Sequence, residues 1–368
     1  MRNPTSLPQM TPAEAKAAAI GLMRARKPYM FVGAPGTSKT AIILEAATEL
    51  GLRKIVSHPV VNGEEDFKGI PWPNPEKTAA DFLAIGELNQ AMQATEPTLW
   101  LFDDLGSGVR ESVQAALMQV LWARSINGKQ IPDCVTMAAA SNMRGQRAAV
   151  RGIIETVKAR FTTIIEMVPD LDSWIDNFAF KSLPDTENTA LLVSYLREYP
   201  DQLSDFQPSS DMTQSPSMRT WEHVSDIMDL AAEYGVGGPS NEAKMICGAV
   251  GPAAGLAFNG YRDMWNQGVP QAVDAILADP ESFDIDTAKP GILYGVATAL
   301  VHRAKAVDAP AVSRFAERCL AATRGEFTAL IYRDVVKRRP AIVDTVAWTD
   351  LLAGPVGRLV DGSDLLTS

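Results

Sequence analysis

The sequence predicts an α/β protein in its first half and a helical one in its second. Three observations lead there. Short apolar strands alternate with helical segments as far as about residue 169, a pattern that implies a parallel sheet covered on both faces. The first of these strands runs directly into a glycine-rich loop and then a helix. After about Pro169 the alternation stops and helical periodicity takes over.

Each element follows from its residues. Thr11-Pro12-Ala13-Glu14 starts a helix, with Thr11 as N-cap, Pro12 in the first helical position and Glu14 closing a capping box, and an alanine-rich run continues to about Arg26. Tyr29 to Val32 is the first strand, and Thr40 to Leu50 the helix behind the loop, stopped by Gly51. Ile55 to Val61 is a second strand, and Pro59 within it assigns it to an edge. Leu99 to Phe102 is a third, buried strand. Glu111 to Arg124 sets Val113, Ala116, Leu117, Val120 and Leu121 on one helical face, and Val135 to Ala140 and Thr162 to Met167 are two more strands. Beyond them lie helices over 188–199, 220–234, 290–306, 311–324 and 326–336, with a linker signal in the Gly-Val-Gly-Gly-Pro run at 235–239. The expected division is a nucleotide-binding α/β core over 1–169, a helical lid over 170–236 and a helical C-terminal extension over 237–368.

Composition narrows the function. With 368 residues, 46% of them apolar, the chain is long enough for two domains. No uninterrupted apolar run reaches the ~18 residues of a membrane helix, and the best stretch, Met245 to Phe258, is cut by Gly248, Gly251, Pro252 and Gly255. Met1 to Met10 carries two prolines and no apolar region, so a cytoplasmic protein without a secretory signal is expected. The net charge of -10 argues against broad coating of a phosphate backbone. Cys134, Cys247 and Cys319 lie far apart and suit neither a disulfide framework nor a zinc site, which leaves them as small core residues. His58, His223 and His302 show no metal or triad spacing, and Trp100, Trp122 and Trp221 are expected in the core.

Gly33-Ala34-Pro35-Gly36-Thr37-Ser38-Lys39-Thr40 stands between a strand and a helix, the setting in which a glycine-rich loop cradles phosphate. Backbone N–H groups and the helix N-terminus face the anion, Lys39 neutralises it and Thr40 holds Mg²⁺. The strict pattern has glycine where this chain has Ser38. Asp103 and Asp104 end an apolar strand, and carboxylates there are expected beside the loop of the neighbouring strand, Asp103 for Mg²⁺ and Asp104 for the attacking water. Asn142, just past another strand, can bond both the terminal phosphate and that water. An arginine-rich stretch follows with Arg144, Arg147, Arg151, Lys158 and Arg160, and a cation for the transferring phosphoryl group commonly comes from another subunit.

Together these residues resemble the AAA+ ATPases, and within them the MoxR group, whose loop reads G-x-P-G with a small residue before the lysine, so that Ser38 fits. The resemblance covers roughly residues 12 to 232, with a looser similarity over the helical remainder to a branch of bacterial and phage ATPases. It implies that Gly33 to Thr40 is Walker A, Asp103-Asp104 Walker B, Asn142 sensor 1, Arg160 in Ala-Arg-Phe the arginine finger and Arg219 in Ser-Met-Arg-Thr-Trp-Glu sensor 2. Ser125 to Pro132 is similar to the hairpin before sensor 1, turning at Asn127-Gly128. Asp66 to Trp72 resembles the pore-facing insertion of such rings, which puts Phe67, Lys68 and Trp72 on an inner or partner-facing surface. Two departures stand out: the group has Asp-Glu where this chain has Asp103-Asp104, and its Ser-Pro-Arg would put the sensor arginine at Ser217.

The resemblance implies a homo-hexameric ring that hydrolyses Mg-ATP to remodel or activate a protein client, with a von Willebrand factor A domain protein as partner. The alternatives are a nucleic-acid-directed AAA+ loader or transposition helper, suggested by Asp103-Asp104-Leu105-Gly106, and a nucleotide-gated scaffold that turns ATP over slowly. The acidic balance and the lack of a helix-turn-helix or zinc pattern weigh against the nucleic-acid reading.

Overall fold

Successive strand residues point to opposite faces of a sheet, and the apolar runs of the first half supply both faces. In chain order this half contains β1 (Gln9–Met10), α1 (Pro12–Arg24), β2 (Tyr29–Gly33), α2 (Lys39–Glu49), β3 (Arg53–Ser57), α3 (Glu65–Lys68), β4 (Ile70–Pro73), β5 (Ala80–Leu83), α4 (Gly86–Met92) and β6 (Thr98–Phe102), then α5 (Glu111–Ala123), β7 (Ser125–Ile126), β8 (Lys129–Gln130), β9 (Val135–Asn142), α6 (Glu155–Lys158) and β10 (Thr163–Met167). The computed structural model describes residues 7–106, 108–142, 153–206 and 211–361. The chain divides into two compact units, Met1–Ser173 with Phe206–Asp211, and Trp174–Asp205 with Met212–Ser368.

In the first unit six parallel strands form one sheet in the order β1-β10-β2-β9-β6-β3. Met30 and Val32 of β2 join Trp100 and Phe102 of β6 on one face, beneath Val113, Leu117 and Val120 of α5. Tyr29, Phe31, Leu99 and Leu101 face the other way, against Ala15 and Ala19 of α1 and Ile42 and Ile43 of α2. Helix α1 begins with the capping box at Thr11 and Glu14. The edge strand is β3, but it ends at Ser57, and Pro59 lies in the turn beyond it because proline cannot donate to a ladder.

The strand order corrects one expectation. The strand carrying Asp103 and Asp104 is not next to the strand that enters the glycine-rich loop; β9 lies between β2 and β6. A second correction concerns Phe67, which is buried against Trp100 and Phe102 as part of the core, whereas Trp72 on the β4–β5 hairpin is exposed. The expected hairpin does form, as β7 and β8 around Asn127-Gly128, and the Asn127 side chain donates to the Lys68 carbonyl at 2.7 Å.

The second unit is helical. Helix Glu187–Glu198 is buried continuously from Thr189 to Arg197. Arg197 donates two hydrogen bonds of 2.7 Å to the fully buried Asp334 and a third, of 3.0 Å, to Thr298. The Gly-rich run at 235–239 is a turn inside this unit, between helices Met218–Tyr234 and Pro239–Val250. The 27-residue helix Pro252–Ala278 was not legible in the sequence, because Gly255, Gly260, Gly268 and Pro270 interrupt its pattern. Among the described residues no helix is long and apolar enough to cross a membrane.

Candidate functional site

The site is assembled where β2, β6 and β9 end on the same side of the sheet, since parallel strands present their C-terminal ends together. Gly33 closes β2, and residues 34–38 form the loop between it and α2. Gly33 admits no side chain, because a Cβ there would lie 2.7 Å from the Met167 carbonyl oxygen of β10. Ser38, at the position where the strict pattern has glycine, adopts the left-handed region with φ 59° and ψ 20° and makes no capping hydrogen bond. The backbone therefore takes the turn that glycine would take, at a cost to serine of about 1–2 kcal/mol.

Lys39 opens α2 and is almost wholly buried. Its ammonium donates to the carbonyls of Gly33 (3.2 Å) and Ala34 (2.8 Å), to Thr37 Oγ1 (3.3 Å) and to Asn142 Oδ1 (3.2 Å). Thr37 in turn donates to the Ala34 carbonyl at 2.9 Å, closing the loop on itself. The next residue, Thr40, donates its hydroxyl proton to Asp103 Oδ1 at 2.7 Å. That contact spans the interposed β9, two strand spacings of about 4.8 Å each, and the first turn of α2 supplies the reach.

Asp104 is exposed and also left-handed, with φ 53°. This turn brings its backbone N–H onto Asp103 Oδ1 at 3.1 Å and its carboxylate to within 3.4 Å of the Asn142 amide nitrogen. Asn142 closes β9, in register with Gly33 of β2. A circuit results: Thr40 to Asp103, Asp103 to Asp104, Asp104 to Asn142, Asn142 to Lys39. It holds one cation, one hydroxyl, two carboxylates and one carboxamide beside a loop able to receive a phosphate chain. Thr40 and Asp103 are hard oxygen donors already side by side, a set that suits Mg²⁺ shared with phosphate oxygens rather than held by an all-protein cage.

Arg160 lies elsewhere. It precedes β10, whose first residue Thr163 is in register with Tyr29 at the start of β2, so it lies at the N-terminal ends of the strands, opposite the loop and roughly 13 Å of strand away. Its guanidinium carbon sits 4.6 Å from the centroid of the Trp122 ring. Trp122 is 70% exposed rather than in the core, because it falls off the apolar stripe of α5. Arg219 is exposed in the first turn of helix Met218–Tyr234, in the second unit, and Ser217 is that helix's N-cap. Arg144, Arg147 and Arg151 lie outside the described residues.

Gln114 was not singled out from the sequence. It is fully buried on α5, donating to the Val109 carbonyl (3.1 Å) and accepting from the Ile154 N–H (2.9 Å). Its signal was a polar residue next to the helix's apolar stripe.

No protein-family model and no curated protein matches the chain in sequence. Among solved structures it is similar to NtrX from Brucella abortus in complex with ADP, at 12% identity over 64% of this chain and 64% of that one, with a TM-score of 0.34. The same protein in complex with ATP is similar at 13% identity over 63% of this chain and 51% of that one, with a TM-score of 0.38. A Cytophaga hutchinsonii protein assigned provisionally as an ATPase is similar at 13% identity over 64% of this chain and 79% of that one, with a TM-score of 0.30.

Proposed function

We infer that the chain is a Mg-ATP hydrolase of the AAA+ kind, working between subunits of a ring. The observation that carries this reading is the hydrogen-bonded circuit through Thr40, Asp103, Asp104, Asn142 and Lys39 at the mouth of a glycine-rich loop. Lys39 and the loop amides bind the phosphate chain; Thr40 and Asp103 hold the metal. When bound, Mg²⁺ neutralises charge on the phosphate oxygens. Asp104 orients the attacking water and accepts its proton, while Asn142 bonds both Lys39 and Asp104 and so sets the distance between the bound anion and the group acting on the water.

On this reading residues 1–169 are the nucleotide-binding core, 170–236 the lid with Arg219 as sensor 2, and 237–368 the extension. The position of Arg160 at the opposite ends of the strands from its own loop supports its action on a neighbour's nucleotide. The loop sequence and the acidic net charge of -10 favour a MoxR-like remodelling ATPase, cytoplasmic, with a protein client and a von Willebrand factor A domain partner, over a nucleic-acid-directed one.

Two substitutions test the site. Lys39→Ala is expected to abolish ATP binding, and Asp104→Asn to keep binding while phosphate release falls by about 100-fold or more. Normal ATP affinity in folded Lys39→Ala, read by titration calorimetry, overturns the reading.

A further inference from the structure

We propose that Trp122 is a positioning residue for Arg160, holding the guanidinium ready for the nucleotide of the adjacent subunit. The inference rests on the reading of Arg160 as a residue that acts in trans. Trp122 is a large apolar side chain left 70% exposed at the end of α5, with its ring face turned to the Arg160 guanidinium at 4.6 Å. Among the described residues no carboxylate pairs with Arg160, and its Nε is buried without a hydrogen-bond partner. Among the described residues the indole ring is therefore the partner that orients the charge. An aromatic face attracts a guanidinium without neutralising it, so the positive charge remains available to a phosphate.

Both partners stand on anchored backbone. Arg124, two residues beyond Trp122, donates to the carbonyls of Pro132 (3.0 Å) and Val135 (2.8 Å), which fixes the end of α5 to the start of β9. On the other side, the Ile154 N–H bonds Gln114, Phe161 is buried, and the Thr162 N–H bonds the Pro28 carbonyl at 2.7 Å. With the backbone on both sides held, the stack itself sets where the guanidinium points.

The test uses the full chain and phosphate release. Trp122→Ala is expected to lower kcat by roughly 5- to 50-fold with the KM for ATP unchanged, and Trp122→Phe, which keeps an aromatic face, to recover most of it. The decisive arm mixes each variant with an excess of Asp104→Asn subunits, whose own sites are silent but whose Trp122 and Arg160 are intact. Trp122→Ala sites then receive a sound arginine from their neighbours, and turnover per Trp122→Ala subunit is expected to return close to the wild-type value. Arg160→Ala, mixed in the same way, is the control. Rescue of Arg160→Ala without rescue of Trp122→Ala overturns the role of Trp122 alone, since it places the defect in the variant's own site. Unimpaired turnover by Trp122→Ala, beside a crippled Arg160→Ala, overturns it equally. Failure to rescue Arg160→Ala overturns the trans reading, and the proposal with it.

Discussion

At the scale of single residues, the glycine-rich loop is governed by backbone dihedrals as much as by side chains. Ser38 holds a left-handed conformation while its hydroxyl makes no capping bond, so the side chain adds strain there without a compensating hydrogen bond. Ser38→Gly is expected to stabilise the protein by about 0.5–1 kcal/mol, the relieved strain exceeding the entropy that glycine adds to the unfolded chain. Denaturant unfolding with an unchanged slope measures it, and a fall in the midpoint contradicts it. The loop and the Asp103-Asp104 pair were legible in the sequence because each is a run of adjacent residues beside a strand of unmistakable apolarity, and Asn142 only through its register with them. The stack of Trp122 on Arg160 was not. Its members are far apart in the chain, and the indole was assigned to the core by residue type, whereas its phase on the helix points it away from Val113, Leu117, Val120 and Leu121.

At the scale of elements, α5 runs from the neighbourhood of the carboxylates to the neighbourhood of Arg160, a length of about 20 Å for its 13 residues. Gln114 ties its first turn to the backbone at Ile154, across the residues that lead to Arg160. Gln114→Leu keeps the volume but leaves the Val109 carbonyl and the Ile154 N–H buried without their partner. A loss of about 2 kcal/mol is expected from such unpaired groups, read as a lowered denaturation midpoint; a shift below a tenth of that marks the glutamine as dispensable. Helices α1, α2 and α5 and strands β2, β3, β6, β9 and β10 followed from periodicity, capping and glycine stops, whereas the short β1, α3, β4, β5, α4 and α6 did not, being too brief to show a period. Strand order did not, because it depends on which crossover packs where, and an apolar run carries no record of its neighbours. The helix Pro252–Ala278 was hidden for the opposite reason: its glycines and Pro270 speak locally against a helix that tertiary packing of Phe258, Tyr261, Trp265 and Val269 sustains.

At the scale of the whole molecule, the proposed reading sets an arginine at the N-terminal ends of the strands against a nucleotide loop at their C-terminal ends, two different surfaces that on that reading meet between copies. Such a heterologous contact closes into a ring or runs on as a spiral, and a ring of six is the expectation from the resembled family. Light scattering with Mg²⁺ and a non-hydrolysable ATP analogue is expected to show assemblies of several chains that fall apart when the nucleotide is removed. Monomers at high concentration under those conditions rule out a shared site. The interposition of β9 between β2 and β6 has a mechanical meaning as well. Lys39 and Thr40 lie at the junction of a loop and a helix, and Asp103 and Asp104 on a turn, but Asn142 ends a strand laddered to β2 on one side and β6 on the other. Of the five polar groups it alone is carried by a strand of the sheet. On the proposed reading, displacements of the loop and the turn as nucleotide comes and goes are gauged against that carboxamide, a benchmark driven into the end of a sheet strand.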